Sequence, residues 1–127
     1  MKYIKIVLIT LLSFLASVSY SQDKVTLLKE KLEASPKEEK PHVLNMLSKT
    51  LLRKNRKESL SYAEEAIKLS QDLGDVAEEM DGYLNKGKAL SALRKHGEAI
   101  KAIEKVLKVD KEFGNEPSAA YDLSLLG

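Results

Sequence analysis

The chain has 127 residues, enough for one domain, with 21 Lys and Arg against 19 Asp and Glu. Setting aside Lys2 and Lys5 in the acid-free first 21 residues leaves 19 charges of each sign, a balance that argues against the basic footprint nucleic acid requires. With no Cys, disulfide frameworks and thiolate metal sites are excluded, and His42 and His96 leave little for a histidine zinc site.

Met1 to Lys5 is a short basic start, Ile6 to Leu15 is almost wholly apolar, and small residues follow from Ala16 to Ser21. This is the order of a secretory signal peptide, with Ser19 and Ser21 placed for cleavage before Gln22. The alternative is an N-terminal membrane anchor, which the Ser and Thr residues weaken. No Cys follows the apolar run, so a lipoprotein anchor is excluded. Residues 22–127 then form the domain.

Beyond Lys24 the apolar residues recur at three and four. Val25, Leu28 and Leu32 mark a first helix. Ser35-Pro36-Lys37-Glu38 reads as the capped start of a second, running to about Lys54 with Val43, Leu44, Leu47, Leu51 and Leu52 inward. Pro41 either kinks its first turns or marks where the helix proper begins. A third helix spans about Lys57–Leu73 with Leu60, Ala63, Ile67 and Leu73 inward. Gly74-Asp75 is a stop and a start: Gly for the left-handed position, Asp as N-cap, Glu78 to complete the capping box. A fourth helix, about Val76–Lys95, carries Met80, Tyr83, Leu84, Gly87 and Leu90, and a fifth, about Gly97–Phe113, carries Ile100, Ile103, Val106 and Leu107. Gly114-Asn115 repeats the Gly74-Asp75 device, and Pro117 enters a sixth helix. No window alternates at period two, so no strand is expected.

A shift of 40 residues lays Leu60 on Ile100, Glu64 on Glu104, Ile67 on Leu107, Gly74 on Gly114 and Leu44-Asn45 on Leu84-Asn85. Two helices per period of this length signify a solenoid. A one-residue slip in the first unit would instead pair Ser48 with Gly87. Gly87 and the small Ala99 and Ala102 mark a close helix crossing. Gly87→Leu is expected to cost about 1–3 kcal/mol, and Gly87→Ala to be mild.

Tyr83-Leu84-Asn85-Lys86-Gly87 resembles the start of the first helix of a tetratricopeptide repeat. Ala99, Ile100, Ile103, Val106 and Leu107 are similar to its second helix, and Leu126-Gly127 restarts the unit. The resemblance covers about residues 40–127, as units at about 40–79 and 80–119 and a partial third. It implies an all-α right-handed solenoid of antiparallel helix pairs, preceded by a signal-peptide helix, of the type that bacteria secrete or keep in the periplasm. In proteins of this family the first helices of the units line a concave peptide groove. The corresponding positions are Asn45, Asp81, Leu84, Asn85, Lys88, Ser91 and Ala92. The two Asn amides either meet a peptide backbone or bond between neighbouring helices. In the first case Asn85→Ala with Lys88→Ala alters binding without altering the melting temperature.

No phosphate loop or nucleophile elbow is present, the paired glutamates point apart on their helices, and both His residues read as solvated. No catalytic residue, metal or cofactor is therefore expected. Arg53-Lys54-Asn55-Arg56-Lys57 is a charge run at a turn, either plainly solvated or touching an anionic peptide or headgroup. The expected function is a non-catalytic scaffold for a protein or peptide partner outside the cytoplasm, with no nucleic acid and no membrane contact after signal cleavage. The alternative is the extracytoplasmic input region of a longer signalling protein, a sensor histidine kinase or transcriptional regulator. Tyr121, Leu123, Leu125 and Leu126 crowd the terminus, so the chain is expected either to continue past Gly127 or to self-associate through an open C-terminal end.

Overall fold

The computed structural model describes residues 23–113, within which lie five helices and no strand. They are α1 (Lys24–Ala34), α2 (Lys40–Leu51), α3 (Arg56–Leu73), α4 (Val76–Ala92) and α5 (His96–Phe113). The expected signal peptide over 1–21, the Gly114-Asn115 turn, the sixth helix from Pro117 and the crowded terminus lie outside the described residues.

Each helix packs on the next in chain order, and α2 also touches α4. Contact between alternate helices is what stacking of two α-hairpins produces: α2 and α4 are the first helices of successive units, α3 and α5 the second. Val25 and Leu28 of α1 join Val43, Leu47 and Leu51 of α2 in one cluster, with Leu32, Met46 and Tyr62 packed against it. Further along, the interior is Ala63, Ala66 and Ile67, then Ala89 and Leu90, then Ala99, Ala102, Ile103 and Val106. Small residues dominate there because the backbones approach closely. A Cβ on Gly87 would stand 2.6 Å from Ile103 Cδ1 in α5, and one on Gly82 2.7 Å from Ile67 Cγ1 in α3. Five residues apart on a helix is a rotation of about 140°, so α4 is wedged between two neighbours and gives each a glycine.

The turns hold where local chemistry allows. Asn55 caps α3 by accepting the Glu58 N–H, and Asp75 caps α4 by accepting that of Glu78. Gly74 adopts φ +70, the left-handed conformation that closes α3. At the matching end of α4 it is Arg94 that turns left-handed, at φ 63, letting the Lys95 N–H return to the Leu90 carbonyl at 2.8 Å.

Three expectations are corrected. Ser35 does not start α2; it closes α1, its hydroxyl donating to the Lys31 carbonyl, and residues 36–39 form a turn. The helix begins at Lys40, which places Pro41 in the first turn, where its missing N–H costs nothing. Glu78 does not complete a capping box, because its carboxylate reaches His42 and Asn45 on α2 instead. Ile100 is 47% exposed; the buried stripe of α5 runs through Ala99 and Ala102, one step round the helix.

Candidate binding groove

The groove face of α2 and α4 is built on a polar ladder. Asn85 Nδ2 donates to Asn45 Oδ1 at 3.0 Å, and Asn45 Nδ2 donates to the Glu78 carbonyl at 3.0 Å and to Glu78 Oε2 at 2.9 Å. Glu78 Oε1 lies 2.8 Å from His42 Nδ1, so this exposed His has a partner as well as solvent. Asn45 and Asn85 are 1% and 3% exposed. Burial without those bonds would be costly, so the two amides are committed to each other. Of the two uses open to them, the structure has the bond between helices. The bond also joins residues 40 apart, so the period holds along the first helices.

The crossing within the first unit uses Ser48, as the slipped register has it. Ser48 and Ser59 each donate a hydroxyl to the other's carbonyl, at 2.8 and 2.7 Å. Ser59 stands 40 residues before Ala99, whose carbonyl backs Gly87 at the second crossing. A sequence reading that forces one shift on both features loses one of them.

Above the ladder lies a cleft of about 230 Å³ lined by Ser48, Lys49, Leu52, Ser59, Asn85 and Lys88. Of the expected groove residues, Asn85 and Lys88 line it. Asn45 lies against Asn85, and Asp81 reaches the cleft through its 2.9 Å pair with Lys49. Leu84, Ser91 and Ala92 are half-buried on α4 and do not line it. Lys49 and Leu52 were missed, although they follow Asn45 by one and two helical turns and so share its face. The Lys49–Asp81 pair is exposed and worth little in stability, but it offsets one of the two lysine charges. Lys88 has no ion-pair partner among the described residues, so the cleft keeps one free cation beside buried amide and hydroxyl groups.

Two larger clefts lie elsewhere. One, about 330 Å³, sits between α4 and α5 and is lined by Tyr83, Lys86, Glu98, Lys101, Ala102 and Lys105. The other, about 370 Å³, lies over α1, α2 and α3 with Leu32, Leu44 and Leu69 among alternating charges. Neither spans the first helices of both units, where a groove continuous through the stack must run. Among the described residues no three His, Asp or Glu side chains gather as metal ligands would.

Stacked helix pairs with a 40-residue period and a face shared by their first helices define a helical-repeat protein. Residues 81–113 match the family model described as Tetratricopeptide repeat, so this segment is similar to one repeat of that family. The match covers most of α4 and all of α5, the pair in which Gly87 meets Ile103. No curated protein and no solved structure matches the chain. Repeats of this family typically act as non-catalytic scaffolds for protein–protein interaction.

Proposed function

We propose that this protein is an extracytoplasmic scaffold that holds a peptide segment of a partner across α2 and α4, with an acidic side chain or carboxylate of that segment against Lys88. The observation that carries the reading is the cleft at the junction of the two units. Its floor is fixed by the Asn45–Asn85 bond, and its one free charge is Lys88. A site whose polar floor is already satisfied loses little order on binding, which favours recognition of an extended segment. The location outside the cytoplasm is supported by the basic, apolar and small-residue order of residues 1–21.

Affinity capture with the full chain, compared with its Lys88→Glu variant, tests the site. The parent is expected to retain a partner that the variant releases, both having the same melting temperature. A partner held equally by both removes the cleft from the interaction. Intact mass of the protein recovered outside the cytoplasm is expected to begin at Gln22.

A further inference from the structure

The charges that balance along the sequence separate in space. The α2–α3 turn carries Arg53, Lys54, Arg56 and Lys57, and the α4–α5 turn carries Arg94 and Lys95. All six are exposed, and none has an ion pair or side-chain hydrogen bond among the described residues. Both turns join a first to a second helix, so they lie at the same end of the stack. The cleft that brings Leu52, at the end of α2, to Lys88 in the later half of α4 shows that the two helices run side by side toward that end. Three acids are nearby. Asp23 caps α1 and lies near Lys54, Glu58 is bonded to Lys29 and Asn55, and Glu98 has no ion pair among the described residues, so the six cations outnumber the acids beside them. The opposite end carries Asp72, Asp75, Glu78 and Glu79 around the α3–α4 turn.

Two further observations concern the basic end. Arg94 sits at φ 63, a conformation unfavourable for any residue with a Cβ, whereas the matching closure at the acidic end uses Gly74. A long cation kept where glycine fits better, on an outward turn, points to a use for its charge. Also, the chain enters the described fold here: Lys54 is close enough to Asp23 to help hold its carboxyl below the usual range, after the larger effect of the Thr26 hydrogen bonds.

We infer that this end of the solenoid is a contact surface for an anionic phospholipid bilayer. Its six cations stand on exposed turns and line none of the three clefts described above, and no aromatic residue lies in either turn, so an extended anionic plane meets them together. An acidic peptide, by contrast, is better held in a groove. The acidic far end orients the molecule the same way, basic turns toward the lipid. The contact goes beyond the peptide-binding reading and leaves the α2–α4 cleft at the side of the stack.

The test compares partition of the full chain onto phosphatidylcholine vesicles with and without phosphatidylglycerol. Taking the ratio of the two cancels whatever the apolar leader contributes to both. Each basic side chain near such a surface is worth about fivefold. Lys54→Gln with Lys57→Gln and Arg94→Gln is therefore expected to lower the ratio by roughly a hundredfold. Lys101→Gln with Lys105→Gln and Lys108→Gln, three exposed lysines of α5, is expected to leave it nearly unchanged. For the parent alone, the ratio is expected to fall steeply with salt as the screening length shortens. A parent ratio of one, a salt-insensitive ratio, or equal losses in both variants would overturn the inference. So would binding of polyglutamate, lost in the first variant, without preference for anionic vesicles; that result assigns the end to an acidic protein.

Discussion

The close approach of α4 and α5 at Gly87 gives the sharpest prediction. A methyl group at position 87 would stand 2.6 Å from Ile103 Cδ1 and 2.9 Å from its Cγ1, where carbon contacts ordinarily begin near 3.5 Å. Ile103 is 1% exposed, so its end must move almost an ångström into packed surroundings. Overpacking of this kind costs about 1–3 kcal/mol, against a gain of about 1 kcal/mol in helix propensity from Gly to Ala. Gly87→Ala is therefore expected to lose about 1 kcal/mol rather than to be mild, and Gly87→Leu about 3 kcal/mol. Ile103→Val removes the nearest atom and alone costs about 1 kcal/mol. In the double variant the new methyl fills the space left by Cδ1. The pair should thus be less damaging than the sum of its parts by about 1 kcal/mol. Urea unfolding of the four proteins, followed by helical circular dichroism with an unchanged slope, measures this. Additive losses within about 0.3 kcal/mol would refute the close crossing of α4 and α5.

Other perturbations follow from the same structure. Asn85→Ala leaves Asn45 Oδ1 buried without its donor, and a thermal melt should register a loss of about 1–3 kcal/mol; an unchanged midpoint would separate the two amides. Arg94→Gly relieves a left-handed backbone and should raise stability by about 1 kcal/mol in urea unfolding, while weakening binding to anionic vesicles. Asp23 has its carboxyl lowered from 3.8, chiefly by the Thr26 N–H. A lowered carboxyl stabilises the fold above its unfolded value and ceases to as pH falls through the folded one. The destabilisation caused by Asp23→Ala should accordingly be present at neutral pH and shrink below pH 3.8 in melts across that range.

Much of the fold was legible because its signals are local. Gly74 and Asp75 end one helix and start the next through bonds within a few residues, and the 40-residue shift of Asn45 onto Asn85 became a hydrogen bond. What failed depends on distant partners. Glu78 obeys a capping-box spacing, yet its carboxylate has better use 33 and 36 residues away, on Asn45 and His42. Ser35-Pro36 resembles a helix start, but Pro41 fits a first turn equally well, and spacing alone leaves the choice open. Ile100 belongs to the apolar stripe by periodicity. The stripe turns away because Ala99 and Ala102 let α4 come closer than a larger residue would allow. Gly82 escaped notice since only Gly87 has a place in the motif; its role appears once α3 is packed on the other side of α4. The asymmetry of charge was hidden by a balanced total, and only the placing of turns at opposite ends reveals it.

The claim that the α2–α4 face is the binding site is tested most directly by mapping a bound peptide. Peptides selected from a random library on the full chain would be titrated into isotope-labelled protein and followed by amide chemical shifts. The account predicts the largest shifts at Lys49, Asn85 and Lys88, selected sequences that contain an acidic residue, and loss of binding in Lys88→Glu. Shifts centred on Lys86, Lys101 and Lys105 between α4 and α5, with Lys88→Glu binding normally, would contradict it.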